Sequence, residues 1–437
     1  MSRWQWLISR LARQLWVRTT LFGVGGVLAA ILAATVERYL PWDLPDTIGA
    51  DSVGMLLSII ASSMLAVTTF SLNIMVSAYS SAAGSVSPRA TSLMMEDRLT
   101  QTVLSTFIGS FLFSIVGLIV MQTGAYGERG RFVLFVITIF VIAWIVVALL
   151  RWIDHLTHFG RLGETTNRVE SAAAAAIERW LKTPHLGGAP WVPDVALPVH
   201  ALPIAGDDIG YVQHIDMTQL QDWAEEHHAQ VYLAVLPGTF LYPGMPLAWV
   251  ALDADASATP EQEMQNWPGQ IRQAFAIEQQ RSFDQDPRFG LVVMSEVASR
   301  ALSPAVNDPG TAIEVIGRLT RLLALWAAAA ERAEGGKGAE DAAPAYPLVH
   351  VPPLREEDLF EDAFMLIGRD GAGMVEIQSL LQKALLRLAT LGDAAFRQAA
   401  LAQADMALER ALQALPLEQE RQRVQALAQT WRAAHGS

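Results

Sequence analysis

The most ordered set of chemically capable residues is a row of hydroxyl and amide side chains inside an otherwise apolar stretch. Ser58, Ser62, Thr69, Asn73 and Ser77 recur at intervals of four or seven and, with Ala66, draw one stripe along one face of a helix. Hydrocarbon supplies no hydrogen-bond partner, so a membrane helix must turn such a face to protein or water. Two uses fit. The groups either glue this helix to the next apolar one, each bond contributing about 0.6 to 2 kcal/mol in lipid, or line a polar path when several subunits set the helix around a common axis. No charged side chain lies deep in an apolar stretch, so a proton relay or voltage sensor has no carrier.

A second set sits where a cytoplasmic mouth is expected: Arg89 in Ser85-Val-Ser-Pro-Arg, then Arg98 and Gln101. Arg89 either holds an anion or phosphate head group, or snorkels to lipid phosphates. A third set, Arg281, Asp284, Asp286, Arg300, Ser303, Asn307 and Asp308, brings charge and amide into a region otherwise written for burial. Such groups need partners, from a ligand, a neighbouring subunit or the chain itself. Part of the set has a structural use, because Asp308 can cap a helix whose first residue is Pro309, and Glu296 and Arg300 pair at i, i+4. His155 and His158 share a helix face at spacing three, but no third ligand is in reach, so interfacial packing is the plainer reading and no metal site is expected.

These residues need elements to carry them. At 437 residues, 52% hydrophobic and only 17% charged, the chain is too apolar for an average soluble protein. Four stretches lack any charge: Leu21–Val36, Val53–Ser80, Thr102–Gly124 and Phe132–Leu150. Each approaches the roughly 20 residues that cross about 30 Å of hydrocarbon, and we place the spans at about 19–36, 53–80, 102–124 and 132–150. More apolar stretches follow the first, and Trp4, Trp6 and Trp16 read as interfacial anchors, so it is taken as a span rather than a cleaved signal. Ser105 with Gly109, Thr106 with Ser110 and Ser114, and Gly23, Gly25 and Gly26 make small-residue contact surfaces, whereas the fourth stretch is bulky on every face and reads as lipid-facing.

Arg3, Arg10, Arg13 and Arg18 precede the first span, and the loop from Glu37 to Ser52 sets Arg38 against four acids. Basic residues stay inside, so both termini are expected in the cytoplasm of a bacterial cell, with the chain multi-pass in the inner membrane. The fold class expected is therefore an α+β membrane protein. A four-helix transmembrane bundle (1–160) is followed by a connecting helix, a linker at His185–Pro203 and a small β-rich subdomain (161–260), then a helical subdomain (261–437). Gly210–Ile215 and Val231–Leu236 read as strands around a helix from Met217 to His228, Pro237–Val250 as a hairpin turning at Gly238 and Gly244, and Ala330–Ala345 as a flexible linker. The hairpin phrase is similar to half of a biotinyl or lipoyl carrier barrel without the lysine that those carriers modify.

The net charge of −13 argues against nucleic acid as a partner, and the absence of Cys removes thiol catalysis, disulfides and Cys-ligated metals. No phosphate-binding loop, nucleophile elbow or zincin motif is present, so no enzyme activity and no cofactor are expected.

Ser87-Pro88-Arg89, Asp97-Arg98 with Gln101, Gly210-Tyr-Val-Gln, the segment from Gly238 to Val250 and Arg300-Ala-Leu-Ser-Pro-Ala-Val-Asn-Asp-Pro309 occur here in one order over nearly the whole chain. In them the sequence resembles the bacterial predicted integral membrane protein family catalogued as domain of unknown function 2254. The resemblance implies four spans and a cytoplasmic domain. Two functions stay open. One is a homo-oligomeric pore or transporter for an ion or small solute, with the cytoplasmic domain assembling and gating it in the lipid bilayer. The other is a membrane-anchored ligand-sensing or scaffold protein with no transport path.

Overall fold

A computed structural model describes residues 6, 11–12, 14–36, 50–85, 87–90, 93, 97–123, 128–158, 162–191, 197–198, 200–252, 266–334 and 343–435. The first loop, 37–49, the arginines at 3, 10 and 13, Trp4 and much of the Ala330–Ala345 linker lie outside them. The chain forms two compact units. One comprises Leu7–Gly84 and Pro88–Thr165, the other Met1–Trp6, Ser85–Ser87 and Thr166–Ser437.

The first unit holds α1 (Leu15–Val36), α2 (Ala50–Ser85), α3 (Arg98–Gln122) and α4 (Glu128–His158). Among the described residues three segments are long and apolar enough to cross a bilayer: Ser52–Ser81, Arg98–Gln122 and Arg129–Thr157. In α1 the apolar segment is Trp16–Leu32 and is shorter, rising about 25 Å at 1.5 Å per residue. Helices α1 and α3 meet backbone to backbone. A side chain at Gly26 would begin 2.6 Å from the Gly109 carbonyl, one at Gly109 would begin 3.0 Å from that of Phe22, and Thr19 Oγ1 bonds Ser105 Oγ at 3.2 Å. The small residues thus make the close contact expected of them. Helix α2 buries Val53 and Leu57 against Phe113 and Leu134, and Ile60 and Met64 against Val103, Phe107, Ile145 and Trp152. Helix α4 exposes Val136, Phe140, Trp144, Val147 and Leu150 on its other side.

The second unit begins with α5 (Leu162–Lys182) and contains two sheets. Strands β1 (Gly188–Pro190), β2 (Leu202–Ala205), β4 (Ala229–Leu233), β6 (Pro246–Leu252) and β8 (Tyr346–Val351) form the larger, in the order β1-β8-β4-β6-β2. Pairings of β1 with β8 and β8 with β4 are parallel, and the other two are antiparallel. The smaller sheet is β5-β3-β7, from Phe240–Leu241, Gly210–Ile215 and Phe275–Glu278. Helices α6 (Met217–Glu226) and α7 (Trp267–Arg272) complete its core, where Leu220, Trp267 and Phe275 pack with Val212, Val231 and Val349. Helices α8 (Phe289–Ala301), α9 (Pro309–Glu334), α10 (Glu356–Asp370), α11 (Val375–Leu388), α12 (Ala394–Ala414) and α13 (Glu418–His435) follow. Their core includes Phe360 and Phe396, edge to face at 4.9 Å.

Three sequence readings change here. The stretch His185–Pro203 is not only linker, since it supplies β1 and opens β2 at the two sheet edges. Gly188 allows the first, because a side chain there would collide with the Val349 carbonyl. Pro237–Val250 is not a hairpin: β5 pairs with β3 and β6 with β4 and β2, so the segment passes from one sheet to the other with Gly238 and Gly244 at positive φ. The boundary at 260 does not contain the β-rich part either. Strand β8, which begins 86 residues further on at Tyr346, is seated inside the larger sheet between β1 and β4.

Candidate functional site

Ser58, Ser62, Thr69, Asn73 and Ser77 are all exposed on the single chain. They occupy the side of α2 opposite Leu57, Ile60, Met64, Thr68, Ser71 and Met75, which are buried. At about 100° per residue the two sets centre on directions roughly 160° apart. The polar row therefore does not bind α2 to α3 within one chain. Ser62 donates to the Ser58 carbonyl at 2.9 Å and Thr69 to that of Leu65 at 3.0 Å, bonds that satisfy hydroxyls inside the helix itself. Asn73 has no hydrogen-bond partner among the described residues, and a primary amide left so in hydrocarbon costs several kcal/mol. Side-chain bonds between helices run elsewhere, from Thr19 to Ser105 and from Trp144 Nε1 to Thr106 Oγ1 at 3.3 Å.

Of the expected mouth residues, Arg89 and Arg98 are exposed, but Gln101 is 1% exposed. Helix α3 turns Gln101 inward because Asp97 sets its start, accepting the Thr100 amide at 2.9 Å. The same carboxylate meets His155 Nε2 at 3.0 Å, and Trp152 packs on that imidazole at 5.7 Å. His155 is thus held by a helix cap, in keeping with packing rather than ligation. The side chain of His158 lies outside the described residues, among which no cluster fit for a metal occurs.

The third set separates into two clusters at opposite ends of α8, whose 13 residues span about 20 Å. At the N-terminal end Asp286, 1% exposed, accepts Arg281 Nε at 2.7 Å and Nη2 at 3.0 Å. It also accepts the amides of Arg288 at 3.0 Å and Phe289 at 3.2 Å, so one carboxylate pairs a buried guanidinium and caps a helix. Burial pushes its carboxyl above the usual carboxylate range, against the pull of Arg281 and Arg288. Gly238, at φ +95°, is required beside it, because a Cβ would strike Asp286 Oδ2. Arg288 in turn reaches Asp362 at 2.6 Å and Asp358 at 2.9 Å on α10, and Asp284 Oδ2 accepts Trp6 Nε1 at 3.0 Å.

At the C-terminal end the chain turns between α8 and α9. Ser303 Oγ donates to the Arg300 carbonyl at 2.7 Å, Asn307 N to that of Ser303 at 2.9 Å, and Asp308 accepts the Thr311 amide at 3.1 Å. The cap expected of Asp308 forms, and the Thr311 hydroxyl holds its carboxyl below the ordinary value. Asn307 adopts φ 49°, a conformation that asparagine tolerates better than most side chains. The turn is exposed at Pro304–Asn307, with Val306 at 49%.

Several positions were not legible as they now stand. Trp6 is no interfacial anchor. It is 3% exposed, stacked on His214 at 5.3 Å, and belongs to the second unit, whereas Trp16 is 61% exposed. Ser87, quoted above only in the phrase around Arg89, is buried and donates to Glu296 Oε2 at 2.9 Å. Arg179 on α5 donates to the carbonyls of Phe283 and Asp284 at 2.8 and 3.2 Å. The one advance sign was Gly238, whose place beside a Pro marks a special backbone.

A family model described as predicted membrane protein (DUF2254) matches residues 12–387. Similar proteins include the uncharacterised proteins MT1328 and Rv1290c of two Mycobacterium tuberculosis strains and Mb1321c of Mycobacterium bovis, each 24% identical over 340 residues, or 75% of this chain. The chain spans 63% of the length of these curated relatives. No solved structure matches it.

Proposed function

The chain belongs to the DUF2254 family of predicted membrane proteins, and from that premise we propose that it is a homo-oligomeric inner-membrane pore or transporter for an ion or small solute. In this reading α2 lines the path and the second unit assembles and gates it from the cytoplasm. The observation that carries the reading is the exposed polar face of α2: Asn73 and four hydroxyl residues point away from the chain's own helices. Facing lipid would leave the Asn73 amide without a partner, whereas copies of the same helix around water would hydrate it.

Four crossings are supported by the make-up of the units. Trp6, Ser87 and the chain from Thr166 onward fold together, so they share one side of a bilayer. The stretch between Trp6 and Ser87 must then cross an even number of times. Its long apolar segment Ser52–Ser81 needs a companion, and Trp16–Leu32 is the apolar helix available. Arg3, Arg10, Arg13 and Arg18 before the first apolar stretch and Arg151 and Arg161 after the last favour the cytoplasm for that side, with both termini on it.

A second reading, a membrane-anchored ligand-sensing or scaffold protein with no path, draws on the exposed turn Pro304–Asn307 with Val306 and Ile313 beside it. Labelling separates the two. Single cysteines placed at Ser62, Thr69, Asn73 and Ser77 of this Cys-free chain should react with a water-soluble thiol reagent at least about tenfold faster than one at Phe140. The reagent attacks a thiolate, which hydrocarbon does not support. Equal, slow reaction at all five positions would rule out the path.

A further inference from the structure

Three chain segments next to the membrane helices end on one short stretch of the second unit. Trp6, which precedes α1, donates to Asp284 at 3.0 Å. Ser87, which follows α2, donates to Glu296 at 2.9 Å. Arg179 lies on α5, the helix that follows α4, and donates to the backbone of Phe283 and Asp284 at 2.8 and 3.2 Å. On the same helix Ala173 presses against Gly290 so closely that any side chain at 290 would overlap it. All of these residues belong to one compact unit.

From this convergence we infer that Phe283–Glu296 is a coupling element, the stretch through which a change at any one of the three anchors, Trp6 before α1, Ser87 after α2 and Arg179 on α5, reaches the other two. It holds whether or not α2 lines a path.

The stretch is built to move as one piece. Its loop half is fastened to β3, where Gln285 Oε1 accepts the Ile215 amide at 2.9 Å and Gln213 donates to the Gln280 carbonyl at 2.5 Å. Asp286 joins loop to helix by binding Arg281 and capping α8, and Arg288 ties the joint to α10 through Asp358 and Asp362. The helix half then carries Glu296 two turns further along a continuous ladder. A shift of this rod, whether from β3, α10 or the exposed turn after Ala301, displaces all three anchor points together. Coupling of this kind is reciprocal: loosening one anchor must loosen the others.

Hydrogen exchange on the full chain in lipid nanodiscs tests it. Trp6→Ala removes the bond to Asp284, and amide exchange at 87–90 and at 179–183 should rise about fivefold or more, at the lower end of ordinary coupling. Glu296→Ala should raise exchange around Trp6 and at 179–183, and Glu296→Gln, which keeps an acceptor for Ser87, should restore it. Arg281→Ala, acting from the far side of the element, should raise all three segments at once. Exchange changes confined to the neighbourhood of each substitution would overturn the inference, while an unaltered oligomer or flux would leave it standing.

Discussion

Replacing Asp286 by Ala opens the N-terminal turns of α8 at a cost of about 3–5 kcal/mol, the range for removing one partner of a buried ion pair. The carboxylate is 1% exposed and Arg281 16%, so the guanidinium left behind cannot recover its hydration. Two helix amides, of Arg288 and Phe289, lose their acceptor in the same step. Asp286→Asn should cost less, since its Oδ1 still accepts both amides and Arg281 Nη2, while the charge and the acceptor for Arg281 Nε are lost. Arg281→Met should cost least, because the carboxylate keeps its two amides and burial already opposes its ionisation. Hydrogen exchange of 286–295 in the full chain reads the order directly, and equal effects from all three would show that the ion pair, lost in every variant, and not the cap fastens this joint.

Gly26→Leu separates α1 from α3 and should cost about 1–3 kcal/mol, the usual range for overpacking, or more where backbone must move. The first atom of the new side chain would sit 2.6 Å from the Gly109 carbonyl and 3.2 Å from Phe113 Cβ. Backbone oxygen cannot swing aside as a flexible side chain can, and the Thr19–Ser105 bond parts with the helices. Gly25 supplies the control. A side chain there meets nothing within 4 Å, so Gly25→Leu should leave thermal unfolding in detergent unchanged where Gly26→Leu lowers it.

The membrane helices were readable because lipid imposes a long uncharged run that few other settings produce. The polar row on α2 was readable for a similar reason, as periodicity needs only the sequence. Which way the row points was not. That depends on which side packs against Phe107, Phe113 and Leu134, residues from two other helices. Local chemistry was also legible, as with Asp308, whose partner Thr311 is three residues away. Trp6 and Ser87 were misjudged or passed over because their partners lie 278 and 209 residues off, at separations where residue type alone carries no pairing signal. The stretch from His185 misled for another reason: Gly and Pro usually mark loops, yet at a sheet edge the absence of a Cβ at Gly188 is what lets β1 approach β8.

The seven residues Arg281 to Asp308 formed one candidate cluster only because sequence proximity hides the length of a helix. Helix α8 sets Arg281, Asp284 and Asp286 at one end and Arg300, Ser303, Asn307 and Asp308 at the other. Each half has a structural task, and the first also fastens segments that flank the membrane.

Whether the polar face of α2 meets copies of itself is tested most directly by oxidative cross-linking in native membranes of single-cysteine chains at Ser58, Thr69, Asn73 and Ser77. No other thiol exists in the protein, so every disulfide joins two copies at the chosen residue. The proposal predicts a covalent species at twice the 47.6 kDa of the chain from one or more of these positions and none from Phe140. Monomer at all four, with dimer from Phe140 instead, would contradict it.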